Sequence, residues 1–201
     1  MGAEQLAVTD SGQEGRSFEM IWMIASDIHG SAVFCKMLLE RFDAEGADRM
    51  ILLGDLLYHG PRNDLPEGYD PKAVIAMLNG RAENLLCVRG NCEAEVDQMV
   101  LDFPVMAEYA LLPVGRNIIY MTHGHHAGEK NPPPLKPGDI LLCGHTHIPA
   151  RNAHDGFVYM NPGSVSIPKD GTPRSYMLFD GQEFVWKKID DGSTYMRQQW
   201  K

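Results

Sequence analysis

An α/β layered fold is what this sequence predicts, and two observations predict it. Over the first two-thirds of the chain one pattern recurs: an apolar run of strand length, a polar residue able to bind metal, then a loop or helical segment. Past Pro149 the texture changes to FVYMN, SYMLF and EFVWKKI, separated by Gly, Pro and Asp. The first pattern reads as strands alternating with helices and the second as a β-meander. Two packed sheets with helices outside would join both halves in one core.

The elements follow in order. Residues 1–19 are rich in Gly, Ser, Glu and Gln, and a mobile leader is expected there. The first strand is expected over Met20 to Ser26. Ser31 to Phe42 carries apolar residues at Val33, Met37, Leu38 and Phe42, a helical spacing, and Pro71 to Leu78 reads likewise with proline at its start. Further strand-length runs are MILLG before Asp55, LLCV before Arg89-Gly90-Asn91, IIYMT before His123 and ILLCG before His145. Asn131 to Pro134 is a stiff extended loop, and Asp180-Gly181 marks a hairpin. Trp22 and Trp186 fall in strand patterns as core residues, while Met37, Met77 and Met99 are expected to pack helices.

With 201 residues the chain can bury a full core, and one domain spanning 20–201 is expected. A net charge of −9 argues against a broad nucleic-acid surface, although a bound metal concentrates positive charge locally. No stretch approaches the ~20 apolar residues of a membrane span, and the first residues lack the pattern of a signal peptide. Cys35, Cys87, Cys92 and Cys143 show no CxxC spacing and are expected to be reduced, so the cytoplasm is the expected compartment. A homo-oligomer is compatible with the sequence, which does not fix assembly.

The chemistry lies at the strand ends. Asp27-Ile28-His29 offers two ligands at i and i+2, and side chains two apart in an extended chain point the same way. His145-Thr146-His147 repeats this with two imidazoles after Gly144, whose missing side chain would let backbone approach a ligand. Asp55 follows Gly54, Asn91 follows Gly90, and His123 follows its strand directly. Ligands in open α/β sheets sit beyond the carboxyl ends of strands, so the five loops are expected to converge. Each fragment alone reads as a cap or turn, but all five in one order, each behind an apolar run, point to metal.

The order DxH, GD, GN, H, GHxH resembles the calcineurin-like metallophosphoesterase family, over about Met20 to Gly163. SDIHGS, GDLLYHGPRN, VRGNCE, THGH, GHTH and NPGSVSIPK resemble its small bacterial YfcE-type phosphodiesterase branch. The resemblance implies a four-layered α/β/β/α sandwich. It also implies that Asp27, His29, Asp55 and His147 bind a first metal and Asp55, Asn91, His123 and His145 a second, with Asp55 bridging.

Two divalent transition metal ions, most readily Mn²⁺ with Zn²⁺, Fe or Ni²⁺ as alternatives, suit these mixed nitrogen and oxygen donors. They would leave the site cationic, and the expected reaction is in-line attack of a metal-bridging hydroxide on a small or activated phosphodiester. Many relatives carry GNH, whose His is taken to protonate the leaving group. Here Cys92 stands in that place, as a weakened acid or as packing, and slow cleavage of esters with poor leaving groups is expected. His59, Arg62 and Asn63 lie in the loop after Asp55 as candidate substrate contacts, and His125 as a support for His123. The alternative function is a binding or scaffold protein on the same fold.

Overall fold

The computed structural model describes residues 20–200, so the expected leader lies outside the described residues. The chain runs through β1 (Trp22–Ala25), α1 (Ala32–Ala44), β2 (Arg49–Leu52), α2 (Pro71–Asn79), β3 (Leu85–Cys87) and the one-turn α3 (Glu95–Gln98). It continues through β4 (Ala110–Val114), β5 (Asn117–Met121), β6 (Asp139–Leu142), β7 (Ala150–Ala153) and β8 (Phe157–Asn161). It closes with β9 (Ser175–Phe179), β10 (Glu183–Lys188) and β11 (Thr194–Gln199). These strands form two mixed sheets, in the orders β11-β10-β9-β1-β2-β3 and β4-β5-β6-β8-β7.

Period-two alternation distributes the apolar side chains. On one face of the first sheet, Met23, Ala25, Met50 and Leu52 pack under Phe34, Leu38 and Phe42 of α1 and Val74 and Leu78 of α2. From its other face, Ile24, Ile51, Met177, Phe179 and Trp186 meet Ile119, Met121, Ile140, Leu142 and Met160 of the second sheet. The far face of that second sheet, with Leu141, Cys143, Phe157 and Tyr159, is covered by the segment carrying Leu135, just past the proline run.

Local chemistry sets the helices. Ser31 caps α1, its hydroxyl accepting from the Phe34 amide at 3.3 Å, and Asp70 caps α2 ahead of Pro71. The buried face of α1 is Phe34, Cys35, Leu38, Leu39 and Phe42, one residue round from the expected stripe, and Val33 is exposed. Met99 does not pack a helix either: α3 is a single turn, and Met99, just past it, is 82% exposed.

The expected meander divides. β9, β10 and β11 pair antiparallel in sequence, with Asp180 capping the turn through the Gln182 and Glu183 amides. FVYMN does not join them, because β8 pairs parallel with β6 in the other sheet. Its alternate residues are apolar on both faces, which suits a strand covered on both sides.

β1, β2 and β3 run parallel, as do β5, β6 and β8. The loops leaving their carboxyl ends carry the chemistry-bearing residues.

Candidate metal centre

Asp27, His29, Asp55, His123 and His147 are buried together, with relative exposures of 0–3%. The oxygens and nitrogens they offer fall into groups within 4.8 Å: Asp27, His29 and His147 in one, Asp27, Asp55 and His123 in another. His145 Nδ1 lies 3.2 Å from His123 Nε2, and Asn91 Oδ1 lies 3.1 Å from the same nitrogen. All seven residues expected from the sequence are thus brought to one place.

They are not aimed by a pleated strand. Asp27 and His29 have φ of +59° and +49°, and Asp55, His145 and His147 have +57°, +67° and +60°, so five of the seven adopt left-handed backbone. The expected extended geometry at DIH and HTH is therefore corrected. Such residues cost of order 1–3 kcal/mol each and persist only where surrounding contacts over-determine them. Here the Asp27 amide donates to the Gly54 carbonyl at 3.1 Å, the His29 amide to Asp55 O at 2.9 Å, and the Gly30 amide to Leu56 O at 2.8 Å.

The glycines before the ligands let loops touch each other. A Cβ on Gly54 would strike the Gly90 backbone, and one on Gly90 would strike Asp55. One on Gly144 would strike the Ser26 hydroxyl and lie 2.8 Å from Asp27 Oδ2. Gly144 thus admits the DIH loop, where the sequence reading had it admit a ligand.

Three of the four imidazoles have fixed tautomers. Nδ1 of His29, His123 and His147 sits 2.7, 2.6 and 2.8 Å from the carbonyls of Tyr58, Leu53 and Ile167. A carbonyl only accepts, so Nδ1 carries the proton and, in the neutral ring, Nε2 turns a lone pair inward. His29 Nε2 and His147 Nε2 face each other at 3.2 Å. Asp27 Oδ1 stands 3.5 and 3.2 Å from them, buried and without a hydrogen-bond partner. Lone pairs and carboxylates crowded this way need positive charge between them, and a divalent cation supplies it; the residues fit a metal.

The metal-free electrostatics show the same demand. Burial opposes a charged His123, yet its contact with Asp55 and the charges of Asp27 and Asp55 raise its pKa to about 9. Burial likewise opposes ionisation of Asp27, but His147 and His29 hold its carboxyl well below the usual range. Asp55 is lowered against burial, chiefly by His123.

Several supporting residues carried no signal strong enough to single out. Glu93, 4% exposed, accepts the amides of Asp55 at 2.8 Å, Leu56 at 2.7 Å and Gly90 at 2.5 Å, locking the GD and GN loops together. Asn161 donates to the Gly144 carbonyl at 2.7 Å, while the Ser164 and Ser166 hydroxyls donate to Asp27 O at 2.8 and 3.1 Å. They fall within VRGNCE and NPGSVSIPK but have no ligand spacing of their own.

Beside the cluster, Asp55, Asn91, His145 and His147 open into a cleft of about 390 Å³ with Arg62, Asn63, Thr146 and Lys169 on its walls. Arg62 and Asn63 therefore stand where substrate contacts were expected, and Lys169 joins them as a cation the sequence reading missed. His59 is not in the lining; its ring packs edge-on against Tyr58 and Tyr69. Cys92 is half-buried, its sulfur 3.2 Å from Asn91 Nδ2, and burial together with Asp55 and Glu93 pushes its thiol pKa far up. The ring of His125 lies 5.4 Å from that of His123, and burial beside His123 and His126 lowers its pKa to about 4. All four cysteines are free, and no helix among the described residues is long and apolar enough to cross a membrane.

The model of the calcineurin-like phosphoesterase superfamily domain matches residues 20–183. The chain is similar to phosphodiesterase YfcE of Escherichia coli strain K12, with 48% identity over 171 residues, 85% of this chain and 93% of the relative. It is similar to the solved structure of YfcE, described as a phosphoesterase from E. coli, with TM-score 0.87 and 43% identity over 90% of this chain and 100% of the other. Vps29 of Entamoeba histolytica, solved with zinc, shares the fold alone, with TM-score 0.56 and 18% identity over 90% of this chain and 100% of that one.

Proposed function

This chain belongs to the calcineurin-like phosphoesterase superfamily, and from that premise we propose that it is a phosphodiesterase working with two divalent metal ions on a small or activated diester. The carrying observation is the set of inward lone pairs on His29, His123 and His147, fixed by Nδ1 bonds to backbone carbonyls. Asp27, His29, Asp55 and His147 would hold one ion, and Asp55, Asn91, His123 and His145 the other. Asp55 suits the shared place, since its Oδ2 lies 3.6 Å from His29 Nε2 and 3.5 Å from His123 Nε2. The donors suit Mn²⁺, Zn²⁺, Fe or Ni²⁺, with Mn²⁺ our first choice.

When bound, such ions neutralise phosphoryl charge and make water a nucleophile near neutral pH. The chain's own part is to position the diester. Arg62 and Lys169 face the cleft as cations, and Asn63 and Thr146 offer hydrogen bonds. Diester preference rests on the named activity of YfcE. The scaffold alternative draws on Cys92 and on the fold shared with Vps29, whereas the full ligand set and the cationic walls favour catalysis.

Metal-stripped protein should leave bis(4-nitrophenyl) phosphate intact and recover turnover when Mn²⁺ is added. Full turnover after verified removal of metal would falsify the reading.

A further inference from the structure

A second recess of about 410 Å³ adjoins the substrate cleft, and His145 and Thr146 line both. Each is within the ~300–1,000 Å³ typical of small-molecule sites. A phosphodiester has two ester arms. Phosphorus held beside His145 would direct one arm along the Arg62 and Lys169 cleft and the other across Thr146 into the recess.

The recess has the form of a slot. Gly124, Gly128 and Gly144 line it with bare backbone, the space a side chain would take at each being filled by Cys143, the Gly124 carbonyl and the DIH loop. The rings of His125 and His126 form another part of the lining, with centroids 4.0 Å apart, and His126 is exposed enough to receive a stacked group. Lys130 and Asn131 also line it, Asn131 Nδ2 donating one N–H to the His126 carbonyl at 3.3 Å and keeping a second, while Glu129 is already engaged by Asn152 and His154 at 2.7 and 3.0 Å. Imidazole faces beside bare backbone, with amide and ammonium donors alongside, suit a flat ring with a polar edge.

We propose that this recess binds the non-leaving arm of the diester, and that the arm is a planar heteroaromatic group of the nucleobase class. The inference rests on the phosphodiesterase reading. In the reaction, water's oxygen bonds to phosphorus, the leaving alkoxide or phenoxide departs with the bonding electrons, and a proton is released to solvent. The arm in the recess stays on the phosphate as a monoester.

Two substrates with one leaving group test it: thymidine 5′-(4-nitrophenyl phosphate) and methyl 4-nitrophenyl phosphate, assayed with Mn²⁺-loaded protein. The wild type should have the lower KM for the thymidine ester. Base–aromatic stacking is commonly lost by alanine substitution at a cost of about tenfold or more in affinity. His126→Ala should therefore raise KM for the thymidine ester about tenfold, leaving kcat and all constants for the methyl ester unchanged, and Asn131→Ala should act in the same sense more weakly. An unchanged KM for the thymidine ester in His126→Ala, or equal losses on both substrates, overturns the assignment. Turnover of the methyl ester without preference for the thymidine ester overturns the recess alone; turnover of neither ester removes the parent reading and this inference with it.

Discussion

Asp55 has the most duties of any residue in the centre. One carboxylate oxygen faces two imidazoles, the other accepts the Cys92 amide at 2.9 Å, and its own amide is held by Glu93. Asp55→Asn keeps the size and removes the charge, so both metals should weaken. Activity should fall by more than the ~10–100-fold typical of losing an outer partner, and His125→Ala should be milder. Elemental analysis checks this: two ions bound at wild-type affinity in Asp55→Asn rule out a shared ligand. Cys92 invites the opposite change. Its thiol is held protonated by burial and neighbouring carboxylates, and a proton held that tightly is a poor one to donate. Cys92→His should speed cleavage of poor leaving groups most, by less than the full ~10²–10⁴-fold of well-placed acid catalysis. A graded aryl and alkyl ester series reads it out, and a flat response with both metals bound leaves Cys92 as packing.

At the scale of elements, the centre depends on loops pressed together. Glu93 after β3 accepts two amides of the loop after β2, Asp55 and Leu56, and the Gly90 amide of its own loop, and a glutamine there turns a donor toward at least one of them. Glu93→Gln should destabilise by about 1–3 kcal/mol and lower metal affinity, as thermal melts with and without Mn²⁺ will show. Gly144, after β6, abuts Ser26 and Asp27 after β1. Gly144→Ala should cost about 1–3 kcal/mol from overpacking and spread the metal ligands. Gly156→Ala is the matched control, since nothing lies within 4 Å of a Cβ there. Equal melting of the two variants would count against loop contact as the role of Gly144.

For the molecule as a whole, metal and stability are linked. Without metal, and against the opposing effect of burial, the Asp55 and Asp27 carboxylates raise the His123 imidazole from its ordinary 6.5 to about 9. A raised folded pKa stabilises fully below the unfolded value, and the gain is lost as pH rises through the folded one. Stripped protein should therefore lose up to roughly 3 kcal/mol between pH 6.5 and 9. Asp27 and Asp55, with lowered values, act oppositely: their contribution is present above pH ~4 and lost on further acidification. Metal binding takes the neutral imidazole, so the Mn²⁺-loaded protein should be spared the alkaline loss. Urea titrations at pH 6 and 9, with and without Mn²⁺, measure it; parallel loss in both forms would sink the linkage.

The sequence by itself determined the strands that bury apolar residues on both faces, the two longer helices and the order of the seven candidate ligands. Those signals are local: periodicity, a proline at a helix start, a glycine before a polar residue. It left β4, β7 and β11 unmarked, and all three lie at sheet edges, where a proline or polar residues replace the apolar alternation. It placed β8 with the wrong partners, because which sheet a strand joins is decided by pairing and not by its own residues. Only the tertiary structure decided the left-handed turns at Asp27, His29, Asp55, His145 and His147, the clamp at Glu93 and the cation at Lys169. Those turns are stable only while other loops hold them, as Gly54 O holds Asp27 and Ile167 O holds His147. The partners are contributed by distant loops, and packing of the two sheets brings them within reach.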